Sequence, residues 1–301
     1  MPTHPQRFSI TKTPSAEDMK VVWGGVEDHN KQYTYGDLDI PAPDISLVLK
    51  DPNGAIIGGV ITSMKAKVMH LEVLWIDKPH RRQGHASTLL LAAERLAKED
   101  GYTASQPWTF SFQGPEFYQS IGYKILGIFD GYTDNIIEYV LMKKLTTPTQ
   151  TPPEPSKPPI DGYTIIEDNS EESMKILHGG LHQHVTEHVG ELRKNNPEIQ
   201  INLVIKDNAN QVIGGIQAGT TLKTMYIEHL WTHEHHRKQG YGKKLLLAAE
   251  AIARENGCIS GQASVLSFQA PGFFHKLGYE TFGISDGYPD PIKEYFLIKK
   301  F

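Results

Sequence analysis

One cysteine in 301 residues, Cys258, rules out an internal disulfide and fits a reducing compartment. Positive charge is not in excess either. Thirty Lys and Arg against 35 Asp and Glu give a formal charge of −5 and a pI near 6.3. That balance offers no basic footprint for nucleic acid or an anionic membrane. Apolar runs are short, and none approaches the ~18–20 residues of a membrane span. Met1 to Thr11 lacks the apolar stretch of a secretory signal. With 39% hydrophobic and 22% charged positions, the chain reads as a globular, cytoplasmic protein of two domains, export by a signal-less route aside.

What the chain does have is itself, twice. Shifted by 156 positions, residues 46–145 fall on 202–301 without a gap, and 45 of the 100 aligned positions are identical. The unit is far longer than a solenoid repeat and matches the size of an ordinary domain. Cys258 meets Tyr102 in this alignment, which makes it a space-filler rather than a nucleophile. Thr146 to Pro159, with six prolines and no aliphatic or aromatic residue, reads as an extended spacer. The expected domains are therefore 1–145 and 160–301, joined by 146–159.

Each copy alternates strand and helix patterns. Phe8-Ser9-Ile10 and Tyr163-Thr164-Ile165 open as short strands, and Ser15 and Asp168 read as caps of a first helix. Hydrophobic runs at Ser46–Lys50 and Asn202–Lys206 lead through turns to second strands expected to end at Gly58-Gly59 and Gly214-Gly215. Val68–Ile76 and Thr224–Thr232 follow as strands. Long amphipathic helices then run through Ala86–Glu99 and Gly242–Glu255, and Gly101 and Gly257 stand just past them. A further strand, a short helix at Pro115 or Pro271 and closing strands make a mixed-sheet α/β (α+β) unit.

Between the third strand and the long helix lies His80-Arg81-Arg82-Gln83-Gly84-His85-Ala86, matched by His236-Arg237-Lys238-Gln239-Gly240-Tyr241-Gly242. Small residues there let the backbone approach an anion, and the free N–H groups of a starting helix point at it. The loop reads as a pyrophosphate cradle, although neither the G-x-x-x-x-G-K-[ST] nor the G-x-G-x-x-G pattern is present.

The pattern R-x-x-G-x-[GA] at this place resembles the acyl-CoA motif of the GCN5-related N-acetyltransferases, the GNAT superfamily. Pro115-Glu116-Phe117-Tyr118-Gln119-Ser120-Ile121-Gly122-Tyr123 and Pro271-Gly272-Phe273-Phe274-His275-Lys276-Leu277-Gly278-Tyr279 are similar to its F-Y-x-x-x-G-[FY] motif. Phe110 to Gln113 and Leu266 to Gln269 are similar to a bacterial subgroup. The resemblance implies two tandem GNAT folds, each a splayed mixed β-sheet flanked by helices, as in secreted bacterial effectors built from two such units. It implies acetyl-CoA as co-substrate, two per chain, and an amine acceptor: a protein lysine or N-terminus, or a small molecule. Arg81, Arg82, Gln83, Gly84, His85 and Ala86 would cradle one pyrophosphate, and Arg237, Lys238, Gln239, Gly240, Tyr241 and Gly242 the other. The pantetheine arms would pair with backbone at Leu74, Trp75 and Ile76, and at Leu230, Trp231 and Thr232, the tryptophan rings themselves packing in the core.

An attacking amine with a pKa of about 10.4 needs a base near neutral pH. Glu72 and Glu228 occupy one slot in both copies, inside an apolar strand that favours a raised pKa. His70 is a second candidate, with Tyr226 a poorer match in the other copy. The family's leaving-group tyrosine falls on Tyr118, whereas Phe274 carries no hydroxyl. Histidines crowd the second copy, and His184 and His188 are spaced one helical turn apart as zinc ligands are. Without HExxH or paired CxxC they read as acceptor-cleft or solvated residues, and no metal is expected. An acyl-CoA-binding or sensing module without catalysis is the alternative to an enzyme, and Phe274 favours it for the second copy.

Overall fold

The computed structural model describes residues 9–34, 44–145 and 162–301, so the proline-rich spacer and Phe8 lie outside the described residues. The first repeat contributes β1 (Ser9–Thr11), α1 (Ala16–Thr34), β2 (Ser46–Lys50), β3 (Ile56–Lys65), β4 (Val68–Ile76), α2 (His85–Glu99), β5 (Ala104–Phe110), α3 (Pro115–Ser120), β6 (Lys124–Phe129) and β7 (Glu138–Lys144). The second contributes β8 (Thr164–Glu167), α4 (Glu171–Asn195), β9 (Gln200–Lys206), β10 (Val212–Thr221), β11 (Thr224–Thr232), α5 (Tyr241–Glu255), β12 (Ser260–Leu266), α6 (Pro271–His275), β13 (Glu280–Ser285) and β14 (Glu294–Lys300). Among the described residues, no helix is long and apolar enough to cross a membrane.

The strands form one mixed sheet in the order β1-β9-β10-β11-β12-β14-β13-β6-β7-β5-β4-β3-β2-β8. Among the described residues, only β4–β5 and β11–β12 pair in parallel. The two halves meet where β6 crosses β13 at Gly127 and Gly283. A Cβ on Gly283 would lie 2.8 Å from the Leu126 carbonyl oxygen, so glycine permits the approach. Each half packs a long helix on one face of the sheet. Leu89, Leu90 and Ala93 of α2, and Leu245, Leu246 and Ala249 of α5, are fully buried there.

The opposite face shows an exchange. Strand β1 pairs with β9 (Ser9 opposite Lys206), and β8 pairs with β2 (Lys50 opposite Thr164). Helix α1 accordingly packs on β10 and β11 of the second repeat, and α4 packs on β3 and β4 of the first. Small residues make the sockets. Leu177 of α4 sits where a Cβ on Gly59 would be, at 2.5 Å, and Val22 of α1 stands 2.3 Å from the Cβ position of Gly215. In return, the Trp75 ring would meet a Cβ on Gly180 at 2.2 Å, and Trp231 one on Gly25 at 2.1 Å. Burying Leu177 and Val22 completely contributes roughly 1.5–3 kcal/mol apiece.

Two local expectations are corrected by these contacts. The glycine pairs do not end strands; β3 and β10 run through them, because a helix side chain needs the space. The cap of α4 is Ser170, whose hydroxyl accepts from the Ser173 N–H at 3.3 Å. Asp168 instead receives the Ser170 N–H at 2.9 Å and the Ser173 hydroxyl at 2.7 Å. Ser15 does cap α1, accepting from the Asp18 N–H at 3.1 Å, while Asp18 accepts from the Ser15 N–H at 3.0 Å.

Candidate active site

Strands β4 and β5 stay paired only from Val68–Ala104 to Leu71–Pro107, then part. In the second half the same separation follows Ile227–Ala263. Beyond it, the edges of Leu74, Trp75 and Ile76, and of Leu230, Trp231 and Thr232, face a wedge with no strand partner on that side. A bulge marks each wedge. The register jumps from Ile61–Val73 to Thr62–Leu71, leaving Glu72 as the extra residue, and from Gln217–His229 to Ala218–Ile227, leaving Glu228. Both carboxylates are exposed at the point of separation. Ser63 donates its hydroxyl to Glu72. Partial burial pushes the Glu228 carboxyl above its ordinary range. His70 stands apart. It is half-buried beside Tyr288 of the other half, 6.5 Å between rings, and its Nε2 makes no hydrogen bond.

A one-turn 3₁₀ helix, Lys78–His80, carries the chain from β4 into the loop. Arg82 and Lys238 adopt positive φ (63° and 61°), as do Gly84 and Gly240 (89° and 85°). These left-handed residues turn the chain so that α2 and α5 begin on glycines with no side-chain cap, leaving their first N–H groups for an anion. A Cβ at Gly84 or Gly240 would meet nothing within 4 Å. The loop's other side chains turn inward to hold this shape. Arg81 Nε donates to the Ile76 carbonyl at 2.8 Å and Arg237 Nε to that of Thr232 at 3.1 Å. Gln83 Nε2 donates to the Pro79 carbonyl and Gln239 Nε2 to that of His235, at 3.2 and 3.1 Å. His85 is buried 4.8 Å from Tyr163, and Tyr241 is buried likewise. Arg82 and Lys238, both exposed, extend charge outward from the loop.

Wedge, loop and α3 enclose a cleft of about 640 Å³ in the first half. Glu72, Gly84 and Tyr118 line it together, as do Trp108 of β5 and two residues of the exchanged helix, Leu181 and His184. Tyr118 is 7% exposed, and burial pushes its phenol well above the ordinary tyrosine value. It therefore keeps its proton at neutral pH. Phe274 holds the corresponding place in the second half, 4% exposed. Cys258 lies in the second core, where burial pushes its thiol up to about 11. Among the described residues, no three His, Cys, Asp or Glu side chains gather as metal ligands.

A model of the acetyltransferase (GNAT) family matches residues 16–123 and again 165–279. The chain belongs to this family. It is a tandem GNAT protein, an N-acetyltransferase of the class that takes acetyl-CoA as co-substrate. Blasticidin-S acetyltransferase of Streptomyces morookaense is 34% identical over 93 residues, 31% of this chain and 68% of its own. An acetyltransferase of Agrobacterium fabrum is 30% identical over 83 residues, 28% of this chain and 61% of its own. A crystal structure of an acetyltransferase from Bacillus cereus shares 28% identity and a TM-score of 0.43, covering 45% of this chain and 96% of that one.

The GNAT sequence motifs point to the wedge and the loop, but they omit the helix wall. His184 reaches the first cleft only because α4 crosses over, and nothing in the linear order places it beside Glu72. A signal did exist. Gly25 and Gly180, in the middle of helices, each precede a histidine by four residues (His29 and His184). Paired mid-helix glycines cost stability unless something packs closely on them.

Proposed function

We propose that each repeat transfers the acetyl group of acetyl-CoA directly to an amine, with two CoA sites in the chain. The observation that carries this reading is the coincidence, in both halves, of an open wedge, a bulged glutamate at its apex and an uncapped helix start beside it. The pyrophosphate sits on the N–H groups from Gly84 to Ala86 and from Gly240 to Gly242, with Arg82 and Lys238 adding charge. Pantetheine lies along the free edges of 74–76 and 230–232, acting as a missing strand. The amine nitrogen attacks the thioester carbon; a C–N bond forms and the C–S bond breaks. Its proton passes to Glu72 or Glu228, directly or through one water. The departing sulfur receives a hydrogen bond from Tyr118 in the first site. Phe274 gives none in the second, where the thiolate leaves unaided or the site binds acyl-CoA without turnover.

The acceptor is an amine of a small molecule or a protein, and blasticidin S, named for the relative above, belongs in the first panel tried together with lysine peptides and polyamines. Titration calorimetry with CoA, paired with thiol release from acetyl-CoA, tests the reading. Two equivalents bound and amine-dependent thiol release support it. One equivalent removes the claim of two cradles, and none removes the reading.

A further inference from the structure

The exchanged helices bring the same side chain to equivalent places. His184 follows the glycine that seats α4 on Trp75 by four residues, and His29 follows the glycine that seats α1 on Trp231 by four. Each ring stands edge-on near the phenylalanine of its cleft's Ser-Phe-Gln segment, His184 at 6.4 Å from Phe112 and His29 at 6.3 Å from Phe268. In both cases the main chain of that phenylalanine lies close enough to favour the protonated ring, and Nδ1 is buried with no hydrogen-bond partner. A neutral imidazole that carries its proton on Nε2 has its lone pair on Nδ1. Such an orphan acceptor, repeated at pseudo-symmetric positions with one copy lining the cleft, is a place for an N–H donor.

We propose that each acceptor cleft is completed by the opposite repeat: His184 accepts a hydrogen bond from the acceptor amine over the first wedge, and His29 does so over the second. The inference rests on the transfer reading above and adds the residue that orients the amine. Held through one N–H, the nitrogen presents its lone pair to the thioester while its other proton goes to the bulged glutamate. The groups facing His184 are Arg81 on the loop, His188 and Glu187 on its own helix, and the Phe112 carbonyl. Those facing His29 are Arg237, Tyr33 on its own helix at 5.0 Å between rings, and the Phe268 carbonyl. Burial lowers both histidines' pKa, and Arg237 and Arg81 add to it by opposing a second positive charge, which favours neutral rings as acceptors.

The test uses the full chain carrying Gly240→Glu, which confines turnover to the first site. His184→Ala is expected to lower kcat/KM for the amine about 10- to 100-fold, the size of a hydrogen bond to a charged or reacting group, while CoA affinity holds. His184→Asn, whose side-chain oxygen takes the place of Nδ1, should recover part of the loss. His182→Gln, exposed on the same helix, should not change the rate. The acid limb of the pH profile that belongs to His184 should vanish in both His184 variants. Equal kcat/KM in His184→Ala and its parent overturns the inference while leaving amine acetylation intact. A loss that His184→Asn does not relieve, with the acid limb unmoved, also overturns it and assigns His184 to packing. If no amine is turned over, thiol release with water as acceptor is the readout, and an unaltered His184→Ala rate again overturns it. Failure of the transfer reading is seen separately, as absent CoA binding in the unmutated chain.

Discussion

The two active-site regions differ in a patterned way. Many residues proposed to hold CoA are the same in both, Leu74 and Leu230, Trp75 and Trp231, Arg81 and Arg237, Gly84 and Gly240, as are the bulged Glu72 and Glu228, whereas Ile76 and His85 become Thr232 and Tyr241. Residues over the rest of the cleft diverge. Tyr118 corresponds to Phe274 and Trp108 to Ser264. The exchanged helix offers His188 stacked on Phe112 at 4.7 Å in one half and Tyr33 stacked on Phe268 at 5.0 Å in the other. The positions proposed to hold the donor are thus more alike in the two repeats than those around the proposed acceptor. Two sites with one co-substrate and two acceptor preferences are the reading this divergence favours.

The largest effect tests whether the cradles are equal. Gly84→Glu or Gly240→Glu forces a side chain into a left-handed position and puts negative charge in the loop, so calorimetry should show one CoA per chain instead of two. Unchanged stoichiometry with the fold intact would displace the phosphates from these loops. Next comes the asymmetry of the leaving group. In a Gly240→Glu background, Tyr118→Phe gives the first site the second site's residue, and turnover should fall by up to the ~10²–10⁴ of general acid–base catalysis with CoA affinity retained. Equal rates would make Tyr118 a packing residue.

A third comparison lies between the halves. Glu294 accepts from Gln106 at 2.8 Å, Tyr288 at 3.0 Å and the Ser264 hydroxyl. Glu138 accepts from Tyr132 at 2.9 Å and Gln262 at 3.4 Å, while Trp108 stands where a serine would donate. Burial therefore dominates and pushes Glu138 up to about 7. A carboxyl raised in the folded state stabilises fully below its unfolded pKa, and that contribution is lost as pH climbs through the folded value. Raising pH from about 5 to 8 should lower stability by up to about 3 kcal/mol, and Glu138→Gln should flatten the trend in denaturant melts. A wild-type stability that rises over this range contradicts the assignment. The smallest change probes the helix sockets. Gly180→Ala places a methyl 2.2 Å from the Trp75 ring and should cost about 1–3 kcal/mol, and Gly25→Ala on Trp231 should do the same. Melting temperatures unmoved by both would mean that the sockets are slack.

Much of this was legible in the sequence because it is local. The loops after the third strands, the long helices and the third strands themselves rest on periodicity and glycine placement within about 30 residues, and they lie at or within one residue of where the pattern puts them. The bulge is different. Glu72 and Glu228 stand out as acids in apolar strands, but the register jump that exposes them depends on β3 and β10. Gly58-Gly59 and Gly214-Gly215 read as strand ends, since glycine is a weak strand former, and only a helix from the other repeat explains them. The exchange was invisible for a simple reason. Both first helices carry the same glycine and an aliphatic knob, Val22 or Leu177, and both sheets carry the same glycine and tryptophan sockets, so local preference cannot choose between them.

The crossed helices also bear on how the polypeptide comes to be assembled. Ser9 lies beside Lys206 in the finished sheet, so the opening strand waits for nearly two hundred residues of synthesis before its partner exists. Trp75 and the outer edge of β2 likewise stay uncovered until α4 and β8 emerge. Such long-range closure slows folding and leaves apolar surface open to chaperones in the interval. It also clasps the product. A protease that cut between 146 and 159 would leave two fragments, each holding a strand and a helix of the other, and these elements would have to be withdrawn before the fragments could part.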